Sequence, residues 1–351
     1  MRRSRSEAET RVLYSGFRYH HHNQGSGYDA VVADPHHYVS SERLPFADYA
    51  ETTITRYINF LLVDLITLAR GLRYDTVHYF YPEITAYLSP WLLRLLGKRI
   101  VFTVHLTESD WLGPPRSALH KFRQRSLGAA HAIAVLSRSQ RAIYSQAFPD
   151  KEVIFVPHGH AFDSASAFSD ELFERRLRNR RLVVVGVTYR DLDLLERIVL
   201  QRGSREVAIH LVGMNDAVRH RFEPHECVTY HPRLDPTTYD ELLRESFALL
   251  LPLTFATANN ALLEAYDCYL PVFASRVHGI ADYAVDGDRS LFSSPEEFWS
   301  KYDALAGLSA DDLRDWCGEL REMAKDRFSW PNIRAQLAQL YTSNSLPEHG
   351  L

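Results

Sequence analysis

The segment with the clearest chemical potential runs from Thr257 to Tyr266 and reads Thr-Ala-Asn-Asn-Ala-Leu-Leu-Glu-Ala-Tyr. The pattern predicts a polar loop followed by a helix that Asn259 or Asn260 caps. Because the first turn of a helix leaves backbone N–H groups without partners, a diphosphate could bind beside Asn259, Asn260 and Ala261. Glu264 lies one turn further along, where its carboxylate could accept two hydrogen bonds from a ribose diol. A capped surface helix with an exposed glutamate would have the same local sequence.

A second candidate group follows the apolar segment Arg99–His105. His105 stands at the carboxyl end of this segment, and the carboxylates of Glu108 and Asp110 follow closely. These side chains could act as a general base or hydrogen bond to the hydroxyls of a sugar. A histidine bound to a neighbouring loop carbonyl would look the same, so both interpretations remain open.

A third candidate is the loop after the first apolar segment, which contains Gly25, Ser26 and Gly27. Two glycines two positions apart let backbone N–H groups approach a phosphate, although a plain flexible turn has the same composition. Three histidines, His20–His22, precede them. We do not expect these histidines to bind a metal ion, because consecutive side chains in regular structure point in different directions.

All three groups follow short apolar segments that alternate with helical patterns. Segments of five to seven residues rich in Val, Ile and Tyr are typical of buried parallel strands. We predict strands at Arg11–Ser15, Asp75–Phe80, Arg99–His105, His131–Ser137, Glu152–Pro157, Arg181–Gly186, Ala208–Gly213, Ser246–Pro252 and Leu270–Ser275. We predict helices between them at Thr52–Leu72, Pro90–Leu96, Ser137–Phe148 and Asp191–Gln201. This alternation predicts an α/β protein with two doubly wound lobes, and a cleft between the lobes where ligands bind beyond the strand ends.

Length and composition fit two such lobes. A chain of 351 residues predicts two domains, and its 46% hydrophobic and 24% charged residues are typical of a globular protein. The polar, charge-dense segment Asp163–Arg180 predicts the hinge, so we assign residues 1–165 to the first domain. The longest apolar stretch, Ile58–Ala69, is interrupted by Asp64 and is shorter than the roughly 20 residues that a membrane-spanning helix needs. A membrane-spanning protein is therefore not expected.

Charge and cysteine content indicate which ligands and which cellular compartment to expect. The net charge of −4 and the pI near 6.5 argue against nucleic-acid binding. Residues 1–165 carry 19 Lys and Arg against 15 Asp and Glu, so this half could contact an anionic lipid or phosphate. Three widely spaced cysteines and a basic start without an apolar signal segment favour a reducing compartment, so we expect a cytoplasmic protein.

Together these segments resemble the two-lobed GT-B glycosyltransferases, specifically the retaining family four. The donor-binding signature is the most specific part of the likeness. The resemblance spans most of residues 11–341 and lies in four places: the strand Val101–His105 with its cleft histidine; Ala132–Ser137 with Val153–Gly159 before the interdomain linker; the donor signature in Asn260–Glu264, Leu270–Ser275 and Gly279-Ile280; and Phe328-Ser329-Trp330 before the last helix.

This resemblance implies the architecture and the activity. It implies two Rossmann-like lobes, with a nucleotide-sugar-binding domain at residues 166–326 and a C-terminal helix at residues 327–351 that packs back on the first domain. It also implies transfer of a sugar from a nucleoside diphosphate sugar to a glycan or lipid-linked acceptor, with retained configuration, in bacterial-type polysaccharide or glycoconjugate synthesis. No cofactor is implied, and no metal ion is expected.

The resemblance also implies a place for each part of the donor. The base would lie near Arg233, the ribose on Glu264, and the diphosphate at the start of the helix beside Gly186 and Arg190. The loop from Gly25 to Gly27 would close over the phosphate from the other lobe, and the acceptor would enter beside His105, Glu108 and Asp110.

Four positions depart from the family pattern. Ala256 stands where the signature has its first glutamate, and Arg190 is the first cation after the Gly186 strand, displaced from the usual position. His131 replaces an aspartate that is common in the family, and His158 replaces an asparagine. Arg190 could substitute for the family's cations because a guanidinium suits bidentate phosphate contact.

These departures leave alternatives open. If Glu108 or Asp110 acts as a positioned base, configuration is inverted rather than retained. A protein that kept the fold but lost turnover would bind a nucleotide or glycan without catalysis. A nucleotide-sugar epimerase shares the architecture and would act without an acceptor.

One basic segment predicts a further partner. Arg116, Lys121, Arg123 and Arg125 place four cations within ten residues. Such a face could hold the protein peripherally at the inner face of the plasma membrane through anionic lipid, close to a lipid-linked acceptor. A solvated helix face explains the same sequence.

Overall fold

The computed structural model describes residues 10–17, 25, 27–41, 44, 54–163 and 168–342. The chain forms two compact units, the first from residues 1–158 and 330–351 and the second from residues 159–329. The sequence predicts the changes of domain after residues 165 and 326, so the observed boundaries lie seven residues earlier and three residues later.

The described part of the first unit contains a parallel six-stranded sheet in the order β2-β1-β3-β4-β5-β6. Its strands are β1 (Val12–Gly16), β2 (Tyr38–Ser40), β3 (Thr76–Tyr79), β4 (Arg99–Val104), β5 (Ala132–Val135) and β6 (Glu152–Phe155). The helices between them are α1 (Ile54–Gly71), α2 (Pro82–Thr85), α3 (Ser89–Leu95), α4 (Glu108–Leu112), α5 (Ala118–Ser126) and α6 (Arg138–Ala147).

Asp64, which interrupts the longest apolar stretch, is a buried capping residue. Its carboxylate accepts the backbone N–H groups of Tyr87, Leu88 and Ser89 and the hydroxyl of Ser89. These bonds satisfy the N–H groups that the start of α3 leaves without partners. Asp64 therefore ties α1 to α3 and positions the loop that follows α2.

The described part of the second unit repeats the scheme in the order β12-β11-β10-β7-β8-β9, again all parallel. Its strands are β7 (Arg181–Val185), β8 (Ala208–Val212), β9 (Val228–His231), β10 (Ala248–Leu251), β11 (Val272–Ser275) and β12 (Leu291–Phe292). Its helices are α7 (Asp170–Asn179), α8 (Leu192–Leu200), α9 (Asp216–Phe222), α10 (Pro236–Glu245), α11 (Asn260–Asp267), α12 (His278–Ala281), α13 (Pro295–Ala306) and α14 (Ala310–Phe328).

Alternating side chains of the second sheet pack into two separate hydrophobic cores, one on each face. Val183, Leu249 and Leu251 pack with α11 on one face. Leu182 and Leu250 pack with α8 and α13 on the other. Because both faces are covered, the central strands are apolar along their whole length. The predicted pair of doubly wound α/β sheets is thus confirmed.

The predicted hinge at Asp163–Arg180 is wrong in its larger part. Residues 170–179 form α7, which packs on the second unit. The guanidinium of buried Arg176 donates to the backbone carbonyls of Arg244, Cys268 and Tyr269. The segment looks like a linker because its charges are dense, yet one of those charges is buried on carbonyl oxygens.

The last helix, α15 (Trp330–Thr342), belongs to the first unit. The Trp330 indole donates to the carbonyl of Gly25 at 2.7 Å, and Arg99 Nε donates to the carbonyl of Leu340 at 2.6 Å. The Tyr341 hydroxyl bonds His78 Nδ1 in β3 at 2.8 Å. The helix therefore packs on the central strands β3 and β4 and contacts the loop that contains Gly25.

Each of the nine predicted strands overlaps an observed one, but β2, β9 and β12 are not predicted. All three lie at a sheet edge and span two to four residues. Strands of so few residues give only a weak apolar pattern in the sequence. In the described part of the chain, no helix combines the length and apolarity needed to cross a membrane.

Candidate functional site

His105 lies directly after β4 in a cluster of aromatic side chains. Its ring centroid is 4.3 Å from that of Tyr81 and 4.9 Å from that of Tyr28, which it meets edge to face. His158 lies 6.4 Å away by the same measure. Edge-to-face and tilted stacking at these distances fixes the orientation of the imidazole.

A buried chain of hydrogen bonds holds Tyr28 in place. The Tyr28 hydroxyl bonds Thr103 at 3.3 Å, Thr103 bonds His78 Nε2 at 2.7 Å, and His78 Nδ1 bonds Tyr341. Burial lowers the pKa of His78 to about 3, so this imidazole stays neutral. The last helix is thereby coupled through β3 and β4 to the ring that packs on His105.

His158 and the glycine loop complete this cluster. The His158 ring is buried between Tyr28 at 5.3 Å and Trp330 at 5.4 Å, so it serves packing where the family has an asparagine. Gly25 has φ +87°, a left-handed conformation that favours glycine, and Gly27 precedes the short 3₁₀ turn Tyr28–Val31. Ser26 and the three histidines His20–His22 lie outside the described residues.

Asp110 is engaged with its own loop. Its carboxylate accepts the Thr107 hydroxyl at 2.8 Å and the Arg116 guanidinium at 2.9 Å. Its backbone carbonyl accepts His120 Nε2 at 2.7 Å, and His120 Nδ1 accepts the N–H of Arg116. Glu108, at the first position of α4, is half-buried. Asp110 therefore holds the turn between α4 and α5, in addition to any part in chemistry.

Glu83 on α2 is a buried carboxyl that sequence reasoning missed. It is 3% exposed, and its carboxylate accepts the backbone N–H of His105. Burial raises the pKa of Glu83 to about 8, against a smaller opposing effect of Arg123. A usable signal existed, because Glu83 follows the carboxyl end of β3, where ligands of parallel sheets bind.

His131 has a structural task. Its Nδ1 accepts the backbone N–H of Ile100 at 3.0 Å, and burial lowers its pKa to about 4. Neutral imidazole can accept this bond as a carboxylate would, which explains how histidine fits where the family often has aspartate.

In the second unit, α11 begins as the sequence predicts. Asn259 is the N-cap, and its side chain accepts the N–H of Leu262 at 3.3 Å. The N–H groups of Asn260 and Ala261 in the first turn have no intrahelical acceptor and are available to a ligand. The half-buried Glu264 receives the Tyr239 hydroxyl of α10 at 2.8 Å on its Oε2.

Arg190 lies in the loop after β7, close enough to Tyr239 for an electrostatic interaction. Its guanidinium donates to the carbonyls of Val185 and Thr188, and burial lowers its pKa to about 10, so it remains a cation at neutral pH. Its Nε is buried without a hydrogen-bond partner among the described residues. Gly186 has φ +70°, and a Cβ at this position would lie 3.9 Å from Nη2 of Arg190.

Tyr239 is the residue that sequence reasoning missed here. Its hydroxyl donates to Glu264, and it lies within electrostatic reach of Arg190. Arg233 is exposed in the loop just before α10. The helical pattern of residues 236–245 gives no sign that one tyrosine reaches across to a second helix. Across the residues that the structure describes, no three His, Cys, Asp or Glu side chains form a metal cluster.

The loop at Ala256 is held by an unusually close contact. A Cβ on Gly279 would lie 1.7 Å from the carbonyl oxygen of Ala256, so only glycine fits on α12. Ser275 Oγ accepts the N–H of Leu253 at 2.8 Å and fixes the start of the same loop. Both residues belong to the signature segment, which explains why serine and glycine occur at these positions.

Two family models match the chain. Residues 170–310 match the family model described as "Glycosyl transferases group 1", and residues 20–164 match "Glycosyltransferase Family 4". A comparison with curated protein sequences gives no match.

Several solved structures have the same fold. Anabaena Alr3699/HepE in complex with UDP has a TM-score of 0.67 and 13% identity, and the match covers 94% of this chain and 98% of that one. Sucrose-phosphate synthase from Thermosynechococcus elongatus has a TM-score of 0.63 and 15% identity, and the match covers 94% of this chain and 88% of that one. A mutant of S. aureus TarM in complex with Fondaparinux, alpha-GlcNAc-glycerol and UDP has a TM-score of 0.58 and 14% identity, and the match covers 81% of this chain and 59% of that one. The chain therefore spans less than two thirds of the TarM chain.

Substitution of Gly279 tests the contact that holds the Ala256 loop. We expect Gly279→Ala to destabilise the second unit by about 1–3 kcal/mol, because the new methyl group forces the backbone apart. Thermal unfolding measures the effect. Gly318→Ala on α14 is the matched control, since a Cβ there meets nothing within 4 Å. Equal melting temperatures for the two variants would contradict the packing.

Proposed function

Because the chain belongs to the glycosyltransferases of GT-B fold, with a group 1 and a family 4 segment, we propose that it transfers a sugar from a nucleoside diphosphate sugar. The donor binds the second unit, and a glycan or lipid-linked acceptor binds the first. The observation that carries this proposal is the hydrogen bond from Tyr239 to Glu264 on α11, with Arg190 within electrostatic reach of Tyr239.

Each part of the donor then has a matching group. Glu264 accepts the ribose hydroxyls, and its bond from Tyr239 keeps the carboxylate in one orientation. The N–H groups of Asn260 and Ala261 face the diphosphate, assisted by the Nε of Arg190. The base lies along the loop that carries Arg233, before α10.

The transfer step follows from this arrangement. The bond between the anomeric carbon and the diphosphate oxygen breaks, and negative charge grows on the departing diphosphate. Fixed N–H groups and the positive charge of Arg190 lower the barrier by roughly several kcal/mol, as in oxyanion-type sites. The acceptor oxygen forms the new bond, and its proton passes to an oxygen of the leaving phosphate, with configuration retained and without a metal ion.

His105 is the polar group of the first unit that we assign to the acceptor. Its ring is oriented by Tyr28 and Tyr81, whereas the carboxylate of Asp110 is already neutralised by Arg116. This difference favours His105 over Asp110 and favours retention over a carboxylate-base mechanism with inversion. Glu108 remains the carboxylate through which inversion would proceed.

One observation favours a second candidate function, which is binding without turnover. Ala256 stands where the family signature has a glutamate near the transferred sugar, and its methyl group is buried. If the lost carboxylate is essential, the protein binds a nucleotide or a glycan and does not transfer it. Release of nucleoside diphosphate during incubation with nucleotide sugars and acceptors distinguishes the two functions.

Exposed side chains on the first unit support attachment to the inner face of the plasma membrane, in polysaccharide or glycoconjugate synthesis. Ile58, Leu61 and Leu65 project from α1, and Trp91 and Leu95 project from α3. On α5, Lys121 and Arg125 are exposed, while Arg116 pairs with Asp110 and Arg123 is half-buried. Apolar side chains beside lysine and arginine are typical of interfacial binding.

Nucleotide binding tests the donor site. Glu264→Ala is expected to weaken the binding of nucleoside diphosphate by about 1–3 kcal/mol, because a charged hydrogen-bond acceptor is lost. Tyr239→Phe is expected to weaken it less, since only the orienting bond disappears. Titration calorimetry with UDP, GDP and ADP measures both. Exposed Glu241→Ala on α10 is the control, and equal affinity in all four proteins would show that the donor binds elsewhere.

Activity tests the role of His105. His105→Ala is expected to leave nucleoside diphosphate affinity unchanged and to lower acceptor-dependent release of nucleoside diphosphate by at least tenfold. Unchanged release in a folded variant would remove His105 from the reaction. Absence of release from the unaltered protein, with nucleotide binding intact, would favour the binding function.

Pelleting with liposomes that contain acidic lipid tests the membrane face. Lys121→Glu is expected to lower the membrane partition coefficient about 30-fold, because each basic residue near an anionic surface contributes about 1 kcal/mol and charge reversal changes the charge by two units. Lys325→Glu on α14 makes the same charge change in the second unit and serves as the control. Equal pelleting of the two variants would contradict attachment through α5.

A further inference from the structure

The first unit contains a pocket of about 350 Å³ between α1, α2 and α5. Polar groups of Glu83, Asp110 and Arg123 line it together with the rings of Tyr57, Phe60 and Tyr87. A cavity of this size lies at the small end of the roughly 300–1,000 Å³ range of small-molecule sites. It therefore suits one or two sugar rings rather than an extended chain.

Glu83 is the feature that marks the pocket as a binding site. The side chain is almost fully buried, and one of its carboxyl oxygens, Oε2, has no hydrogen-bond partner in the described part of the chain. Buried polar atoms are nearly always paired, so an unpaired one that lines a cavity indicates a missing ligand. With its pKa raised to about 8 by burial, the carboxyl is neutral at pH 7 and can both donate and accept.

Arg123 supplies a second unpaired group. Its Nε is buried without an acceptor among the residues described, and its guanidinium lies over the Trp111 ring at 5.9 Å. Its positive charge lowers the pKa of Glu83, which shows that the two groups are within electrostatic reach. Asp110 is neutralised by Arg116, so the pocket carries a single uncompensated positive charge.

Donors, acceptors and aromatic rings in one small cavity match the chemistry of a carbohydrate. Sugar hydroxyls donate and accept at adjacent positions, and the C–H face of the ring packs on aromatic side chains such as Phe60 and Tyr87. A nucleoside diphosphate would bring two or more negative charges into a pocket that has one uncompensated positive charge.

We propose that this pocket binds one sugar ring of the acceptor, with the carboxyl of Glu83 and the guanidinium of Arg123 hydrogen bonding to neighbouring hydroxyls. The inference rests on the proposed function, because it names the acceptor as a carbohydrate. The hydrogen bond from the backbone N–H of His105 to the Glu83 carboxyl connects this pocket to His105, the residue that we assign to the acceptor.

The first test measures binding of methyl glycosides of glucose, galactose, mannose and N-acetylglucosamine to the full chain in the presence of UDP. At least one is expected to bind. Glu83→Leu is expected to weaken it at least tenfold, whereas Glu83→Gln, whose amide also donates and accepts, stays within about threefold. Binding by none of the four, or equal binding to the Glu83→Leu variant, would overturn the proposal.

A second variant covers the case in which Glu83→Leu does not fold. Arg123→Met keeps an apolar stem beside Trp111 but removes the guanidinium, and exposed Arg125→Met is its matched control. The first is expected to weaken glycoside binding at least tenfold and the second to leave it unchanged. Equal affinities would overturn the proposal.

The pH dependence of stability tests the neutral carboxyl. A carboxyl with a raised pKa stabilises the fold when it is protonated. This contribution is complete below the ordinary pKa of a glutamate and is lost as the pH rises through about 8. The melting temperature of the unaltered protein should therefore fall relative to that of Glu83→Gln between pH 5 and pH 9. Parallel profiles would show that Glu83 is ionised and would overturn its role as a donor. The groups that face Glu83 are Tyr57, Tyr87, Asp110, Arg116, His120, Arg123 and, from α6, Tyr144.

The outcomes separate this inference from the proposed function. If nucleotide binding depends on Glu264 and transfer occurs, but the KM for a glycan acceptor is unchanged in Glu83→Leu, the inference fails and the function stands. If glycosides bind through Glu83 and no nucleotide binds at Glu264, the proposed function fails and the pocket stands.

Discussion

The hydrogen bond from Tyr239 to Glu264 is the interaction on which the proposed donor site depends. A glutamate on the outer face of a helix has many rotamers, and fixing one of them requires a donor from another element. Tyr239 supplies that donor from α10 and lies within electrostatic reach of Arg190, which follows β7. Two helices and one loop, which follow β9, β10 and β7 of the same parallel sheet, are thereby connected by side chains.

The departures from the family pattern have physical explanations that differ from one position to the next. His131 accepts a backbone N–H as an aspartate would, and His158 fills space between two aromatic rings. Both side chains therefore have a structural role in the first unit. Ala256 is different, because its loop is held tightly by Gly279 while the carboxylate itself is missing. The scaffold of the signature is retained there and one reactive group is not.

Central strands and the N-cap at Asn259 could be predicted because their signals are local: an uninterrupted apolar run, and an asparagine before a helical pattern. The edge strands β2, β9 and β12 could not, since each of them spans only two to four residues. The environments of Arg176 and Glu83 could not be predicted, and the reason is the same for both. A charged residue in sequence suggests a solvated surface, yet one is buried on three carbonyls and the other is buried as a neutral acid. Only the three-dimensional neighbours reveal such environments.

The two oxygens of the Glu83 carboxyl have separate tasks, and this separation links the pocket to His105. One task is structural, because the carboxyl accepts the N–H of His105 and so fixes the backbone after β4. The rings of Tyr28 and Tyr81 fix the imidazole itself. The other oxygen, Oε2, lacks a partner within the described residues and lines the cavity. A ligand that satisfies Oε2 therefore binds to the same group that holds His105, so acceptor binding and the position of the imidazole are coupled through one side chain.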